Sequence, residues 1–286
     1  MTDEKKLKNI KDEVITIDIK PFLMPLSIIL SAIILSSGLF FGLNNLSNSL
    51  KGTSLNTAAT TQTGTTGTTT TPQAQATVSI DKIKELFKGN NIKFGDENSK
   101  LLFVEVADPS CPYCHIAGGL NPELNKSAGN QFILTQDGGT YVAPVPAMKK
   151  LVDEGKASFV YIYSNGHGNG EIATQALYCA YEKGKFWEAH DLLMTSKGYS
   201  LINDTVKNDT TKSGDMANFL SSAVNSNDMK NCLDSGKYAN RISEDQATAR
   251  SLGVSGTPGF FINETNFAGA YSWTDMKSVA EKALNN

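Results

Sequence analysis

The residues best suited to chemistry are two cysteines separated by two residues, in Cys111-Pro112-Tyr113-Cys114. They follow an apolar run at 101–107, whose length and β-favouring residues predict a buried strand. A strand that leads into such a pair, with the second cysteine one turn into a helix, is typical of a dithiol redox centre. Unpaired backbone N–H groups at the helix start lower the pKa of a thiol, and a depression of about three units favours the dithiol form by about 4 kcal/mol. We therefore predict Cys111 as the exposed attacking sulfur and Cys114 as the buried resolving sulfur.

Two other uses of this cysteine pair stay open from the sequence. A zinc site usually takes a second Cys or His pair at similar spacing. The remaining cysteines, Cys179 and Cys232, stand alone, and His115 is adjacent to Cys114 rather than at ligand spacing. The second alternative is a purely structural bridge. The sequence favours redox chemistry and predicts neither a metal nor a cofactor.

The composition limits the class of protein. The 286 residues allow one large or two small domains, and a net charge of −3 does not indicate nucleic-acid binding. Four cysteines are too few for a disulfide-dense scaffold but allow two bridges outside the cytosol.

The N-terminal part predicts a membrane anchor. Residues 1–21 are polar and lysine-bearing, and 22–43 contain no charged residue and are long enough as a helix to cross the hydrocarbon core. A cleaved signal peptide is the alternative, but its apolar region would be shorter, with a small-x-small site close behind. Lysines concentrate before the span, so the N-terminus is predicted to be cytoplasmic and the rest extracytoplasmic. Residues 44–77 are rich in Thr and predict a disordered linker.

Residues 78–286 predict one α/β domain. An amphipathic helix at 78–88 and a short extended piece at 92–94 precede the strand at 101–107, and the part after the cysteines, 121–147, reads as loop-rich. A strand follows at 157–163, and Gly166 to Gly170 form a turn cluster. Helical patterns then fill about 171–252, with pieces at 171–181, 185–194, near 215–224, 227–234 and 238–252. Strands at 258–262 and 266–270 and a helix at 274–284 close the chain, which together predicts a thioredoxin-type frame with an inserted all-α subdomain.

A second motif far downstream supports a family resemblance. The stretch 253–263, Gly-Val-Ser-Gly-Thr-Pro-Gly-Phe-Phe-Ile-Asn, together with the cysteine motif, resembles the DsbA-like thiol–disulfide oxidoreductases, including membrane-anchored bacterial ones. The segments 179–193 and 232–238 are also similar to theirs. The resemblance implies a cis Thr257-Pro258 bond beside the active-site sulfurs, with the Thr257 backbone free to pair with an extended substrate segment. The alternative for Pro258 is an ordinary proline at the start of an edge strand.

The chain departs from the family pattern in two places. Its intervening dipeptide is Pro112-Tyr113 rather than the Pro-His of the most oxidising members, and the loop-rich piece at 121–147 is longer than usual. The first departure concerns the redox potential, and the second concerns the surface that faces the substrate.

Two residues near the cysteines carry supporting hypotheses. Glu105 interrupts the apolar strand, and a buried carboxyl there has a raised pKa and could shuttle a proton for Cys114. An acid on this strand also fits the resemblance, and a solvated face is the alternative. His115 either tunes the dithiol electrostatically or is a helix-surface residue.

Cys179 and Cys232 lie on two different predicted helices of the insert. A bridge between them closes a loop of about 54 residues and stabilises the fold by about 4 kcal/mol in the chain-entropy model. Two buried free thiols are the alternative. Phe186, Trp187 and His190 are assigned to helix packing.

These observations predict a membrane-anchored, extracytoplasmic oxidoreductase that introduces disulfides into exported, cysteine-containing proteins. A redox partner must then reoxidise the dithiol. An isomerase or a reductase that uses the same cysteines is the nearest alternative. An alternative of another class is a surface binding protein that keeps a thioredoxin frame without redox turnover.

Overall fold

A computed structural model describes residues 78–285 of the chain. The predicted cytoplasmic segment 1–21, anchor 22–43 and linker 44–77 lie outside these residues. Within 78–285, no helix combines the length and the apolar character that a membrane span requires.

A five-stranded mixed sheet forms the centre of the domain. Its strands are β1 (Ile92–Phe94), β2 (Leu102–Ala107), β3 (Ser158–Tyr163), β4 (Gly259–Ile262) and β5 (Thr265–Ala268). Their spatial order is β1-β3-β2-β4-β5, with β2 parallel to β3 and every other neighbouring pair antiparallel. Every residue of β2 and β3 is buried, which explains why both strands read as nearly continuous apolar runs.

Helices cover the sheet on both faces. The α-helices are α1 (Ile80–Lys88), α2 (Pro112–Gly118), α3 (Pro122–Ser127), α4 (Pro144–Asp153), α5 (Glu171–Glu182), α6 (Phe186–Leu193), α7 (Ser196–Ser200), α8 (Ser213–Phe219), α9 (Ser226–Asp234), α10 (Ala239–Ser251) and α11 (Trp273–Asn285). A π-helical stretch, Leu201–Val206, follows α7. Alternation along β2 divides the core: Phe103 belongs to the cluster on one face, and Val104 packs with Ile83 and Ala249 on the other.

The helical insertion between β3 and β4 confirms the thioredoxin-like frame predicted from the sequence. Five of its helices, α5, α6, α8, α9 and α10, begin or end within a few residues of the predicted bounds, although the piece expected near 215–224 begins at Ser213 and ends at Phe219. Helix α7 was not predicted from the sequence. A disulfide joins Cys179 in α5 to Cys232 in α9, with the two Cα atoms 6.1 Å apart. The alternative of two free thiols is therefore wrong for this structure.

The interpretation of 121–147 as loop-rich is wrong. This stretch contains α3, two 3-10 turns and the first turn of α4. Pro122 and Pro144 each occupy the start of a helix, where a proline loses no hydrogen bond, and Asn121 caps α3 by accepting from the Leu124 N–H at 3.2 Å. The prolines therefore start helices here and do not mark loops.

Candidate active site

The cysteine pair lies where the central strand β2 ends and α2 begins. Cys111 is the residue that precedes the first turn of α2, Pro112 occupies the first helical position, and Cys114 lies inside the turn. Gly119, with φ of 69°, adopts the left-handed conformation that ends the helix. The local sequence therefore places both sulfurs at the N-terminal end of a short helix.

Cys111 faces the loop before β4. The Thr257-Pro258 peptide bond is cis, as the family resemblance implies. The Cys111 thiol donates to the Thr257 carbonyl oxygen at 3.4 Å. The sequence predicts Cys111 as an exposed sulfur, and that prediction is wrong, because Cys111 is only 4% exposed.

The surroundings of Cys111 favour its thiolate. A hydrogen bond with the Cys114 side chain makes the largest contribution, and the Thr257 side chain and the backbone N–H groups of Cys114 and Tyr113 add to it. Burial of the sulfur opposes them. Together these effects lower the pKa of Cys111 to about 6, so the thiol is mostly ionised at neutral pH.

Cys114 has the opposite character. It is 1% exposed, and its sulfur accepts a hydrogen bond from the Asp108 N–H at 3.4 Å. Burial is the main cause that raises the pKa of Cys114 well above its ordinary range, and the hydrogen bond and negative charge of Cys111 raise it further. Both cysteines are free thiols in this structure. The pair therefore consists of one ionised sulfur and one protonated sulfur.

Glu105 lies in β2 beneath the cysteines, opposite Tyr161 of β3. Its side chain is 1% exposed, so the solvated-face interpretation is wrong. Burial raises the pKa of Glu105 to about 7, and the nearby His190 opposes this effect. One of its carboxyl oxygens has no hydrogen-bond partner within residues 78–285. A carboxyl group of this kind can gain and lose a proton near neutral pH.

His115 is fully buried, so its interpretation as a helix-surface residue is wrong. One ring nitrogen lies 3.0 Å from the Met194 carbonyl oxygen, and the other lies 2.8 Å from that of Pro109. Burial nevertheless lowers the pKa of His115 to about 4. At neutral pH the ring is therefore uncharged, and its single N–H donates to one of these two carbonyl oxygens.

Aromatic side chains extend the site along one side of α2. Tyr113 is 47% exposed, and its ring meets Phe132 edge to face at 5.8 Å. Phe132 contacts Tyr141, whose hydroxyl donates to the Tyr271 carbonyl oxygen at 3.3 Å. The stretch at 121–147 thus places aromatic side chains beside the cysteines.

Asp108 is a site residue that reasoning from the sequence missed. It is completely buried between β2 and Cys111, and its carboxylate accepts four hydrogen bonds. Two of these come from Ser110, which in turn accepts from the Asn169 N–H at 3.2 Å. The available signal was the Asp-Pro-Ser sequence, since an aspartate two residues before a serine commonly receives its N–H in a turn.

Within residues 78–285, no group of three or more His, Cys, Asp or Glu side chains is arranged to hold a metal ion.

Comparison with known proteins gives one family match and relatives of two kinds. The model of a thioredoxin family matches residues 143–282, downstream of the cysteine pair. A putative protein-disulfide oxidoreductase of Rickettsia conorii is 22% identical over 74% of this chain and 68% of its own length. A Na(+)/H(+) antiporter NhaA 3 of Salinispora tropica is 26% identical over 66% of this chain. This match spans only 24% of the antiporter's length.

Solved structures share the fold. BdbD of Bacillus subtilis is 18% identical with a TM-score of 0.51, covering 73% of this chain and 97% of its own. A variant of α-DsbA1 of Wolbachia pipientis is 17% identical with a TM-score of 0.53, covering 73% and 96%. DsbG of Mycobacterium tuberculosis is 19% identical with a TM-score of 0.50, covering 70% and 91%. At these identities the likeness establishes the thioredoxin-like fold.

Proposed function

We propose that this thioredoxin-fold chain, which resembles the DsbA-like thiol–disulfide oxidoreductases, exchanges disulfides with cysteine-containing proteins through Cys111 and Cys114. One observation carries the proposal. An acidic thiol and a protonated thiol share the first turn of α2, and a cis-proline loop lies within hydrogen-bonding distance of the acidic one. Purely structural cysteines do not need such a separation of pKa values.

The reaction begins with the Cys111–Cys114 disulfide. A substrate thiolate attacks Cys111, forms a mixed disulfide and releases Cys114 as a thiolate, which takes up a proton. A second substrate thiolate then attacks the substrate sulfur of the mixed disulfide and releases Cys111 as a thiolate. Two electrons pass from the substrate dithiol to the enzyme, and the substrate leaves with one disulfide.

Glu105 is proposed as the proton carrier for Cys114. Its carboxyl group lies close enough to raise the pKa of that thiol by its charge. Because burial raises its own pKa to about 7, it can donate to the leaving Cys114 sulfur and recover a proton near neutral pH. A Glu105→Gln variant should therefore release Cys114 more slowly while Cys111 remains acidic.

The substrate is proposed to bind as an extended segment beside Thr257. While Cys111 is a protonated thiol the Thr257 carbonyl oxygen accepts from it, and neither the thiolate nor the disulfide has a hydrogen to donate. The carbonyl then becomes available to a substrate N–H, which would hold a substrate cysteine next to Cys111. The exposed Tyr113 offers an apolar contact to neighbouring substrate residues.

The proposed setting is outside the cytoplasm, with residues 22–43 as a single-pass anchor and 44–77 as a linker. The lysines before residue 22 and the uncharged span itself support this topology. In that compartment protein disulfides persist, so exported proteins are the proposed substrates. A membrane-impermeant thiol reagent should label the reduced chain in intact cells. Labelling only after lysis would contradict the topology.

The preferred direction is oxidation of substrates, with isomerisation or reduction as the second candidate. At pH 7 the low pKa of Cys111 stabilises the dithiol form by about 1.4 kcal/mol, which raises the reduction potential by about 30 mV. Known dithiols of this fold span about 150 mV. Equilibration of Cys111–Cys114 with glutathione measures the potential. A value above about −200 mV supports oxidation, and a value near about −270 mV rules it out.

A binding protein without redox turnover is the candidate of another class. The pH dependence of Cys111 alkylation separates the two. A midpoint near pH 6 supports the exchange reaction, and reaction only above about pH 8 supports the binding protein.

A further inference from the structure

The glycine-rich turn at 166–170, Gly-His-Gly-Asn-Gly, connects β3 to α5 and has no role in the reaction described above. In the structure it contacts both the turn before Cys111 and the cis-proline loop. These contacts leave no room for a side chain at Gly166 and Gly170, and Gly168 has a φ of 97°, which favours glycine.

The first set of contacts runs through Asp108. One carboxyl oxygen accepts from the N–H groups of Gly166 and His167 at 2.8 and 2.9 Å. The other oxygen accepts from the N–H and hydroxyl of Ser110 at 2.8 and 2.7 Å. A single buried carboxylate therefore fastens the glycine-rich turn to the residue that precedes Cys111.

The second contact lies on the opposite side of Gly166. A Cβ atom placed on Gly166 would lie 1.8 Å from Oγ1 of Thr257 and 3.0 Å from its Cβ. Separations below about 3 Å do not occur between such atoms, so any side chain at 166 must displace Thr257. Gly170 is confined in the same way, since its Cβ would lie 1.8 Å from Oδ1 of Asp108.

The Thr257 hydroxyl is therefore held in a defined position. Its oxygen is buried and has no hydrogen-bond partner within residues 78–285, although the carbonyl oxygen of the same residue lies 3.4 Å from the Cys111 sulfur. This unpaired donor can turn to the sulfur once Cys111 is ionised, and the Thr257 side chain contributes to the acidity of Cys111.

We propose that Gly166 is a positioning residue for thiol–disulfide exchange: anchored by Asp108, it leaves the space from which the Thr257 hydroxyl can donate to the Cys111 thiolate. This inference rests on the proposed function of the cysteine pair. It adds the glycine-rich turn to the site as a third segment that joins the two loops already described.

A double-mutant cycle in the full-length, reduced chain tests the proposal. The readout is the pH midpoint of Cys111 alkylation, followed by mass spectrometry of the Cys111 peptide. Gly166→Ala should raise the midpoint by about one pH unit, because a hydrogen bond to an ionised sulfur is lost. Thr257→Ala should raise it similarly. The double variant should match Thr257→Ala alone, since removal of the hydroxyl makes room for the added methyl group.

Two results overturn the proposal: an unchanged midpoint in Gly166→Ala, or a double variant whose shift equals the sum of the single shifts. Gly256→Ala is the matched control, because no atom outside its two chain neighbours lies within 4 Å of its added Cβ. Its midpoint should equal that of the unmodified chain. If this control shifts the midpoint as much as Gly166→Ala does, the effect belongs to any substitution near Thr257 and the inference fails.

Asp108→Ala supplies a second route if Gly166→Ala does not fold. It removes both oxygens that accept from Gly166, His167 and Ser110 and so releases the turn. If Asp108 acts by positioning Gly166, the alkylation midpoint of Cys111 should be higher in this variant. Loss of a nearby negative charge alone predicts a lower midpoint, and a lower value overturns the proposal.

Disulfide exchange between the unmodified chain and a dithiol peptide keeps the two claims apart. Failure of that exchange refutes the proposed function. Normal exchange with an unshifted Gly166→Ala midpoint refutes only the inference.

Discussion

Reduction of the Cys111–Cys114 disulfide should make the stability of the domain depend on pH in a way that the oxidised form does not. The pKa of Cys111 is about 6 in the folded chain, against an ordinary value of 9.0. Between these two values the unfolded reduced chain binds one more proton than the folded chain, so the free energy of unfolding rises with pH. The contribution is complete above pH 9 and is lost as the pH falls through 6.

The expected size follows from the two pKa values. The Cys111 thiolate contributes about 0.4 kcal/mol at pH 6 and about 2.7 kcal/mol at pH 8, a gain of about 2 kcal/mol. Glu105 also titrates in this range, but it does so in both the oxidised and the reduced chain. The reduced-minus-oxidised difference in unfolding free energy therefore isolates the Cys111 contribution.

Urea unfolding at pH 6 and pH 8 measures this difference, with mass spectrometry confirming that the Cys179–Cys232 bridge remains intact. The difference should shift by about 2 kcal/mol in favour of the reduced form at pH 8. A Cys111→Ser variant is the control, because its pH dependence should follow that of the oxidised chain. A shift below about 0.5 kcal/mol in the unmodified chain would refute the assignment of Cys111 as an ionised thiol.

Three further predictions concern groups around the site. Between pH 6 and pH 8, the free energy of unfolding of Glu105→Gln should rise by about 1 kcal/mol relative to that of the unmodified chain. The reason is that a carboxyl whose folded pKa is raised to about 7 makes the folded chain less stable as the pH rises, and urea titrations at both pH values measure this. Replacement of Cys179 and Cys232 by alanine should lower the unfolding free energy by about 4 kcal/mol while the Cys111 alkylation midpoint is unchanged. Asp245→Ala should cost about 3–5 kcal/mol in urea unfolding, because the buried Asp245 accepts from Arg241 at 2.9 Å and from Tyr178 at 2.8 Å; a loss below about 1 kcal/mol would contradict this.

The strands and the cysteine pair could be read from the sequence because their signals are local. Both central strands are buried on two faces, so 102–107 and 158–163 appear as nearly continuous apolar runs, broken within the first only by Glu105. The cis-proline loop was reached through the family resemblance rather than from any property of Thr257-Pro258 itself. The helical insertion followed from its periodic apolar positions.

The remaining features depend on contacts between distant segments. A proline can mark either the start of a helix or a loop, so Pro122 and Pro144 did not by themselves predict the helices that begin there. The four donors to Asp108 come partly from residues nearly sixty positions away, and nothing local distinguishes this aspartate from one in an exposed turn. His115 looks like a surface residue until α6 closes over it.

The near-complete burial of Cys111 affects the resistance of the protein to oxidation. An ionised thiol is the form that peroxides convert to sulfenic and then to sulfinic acid, and the second conversion is generally irreversible. Such damage requires access as well as charge. A sulfur that is enclosed by the Thr257 loop and belongs to a residue only 4% exposed reacts more slowly with peroxides, and with alkylating reagents, than an open thiolate does. We expect the resting dithiol to survive oxidative stress that inactivates open thiolates of equal acidity.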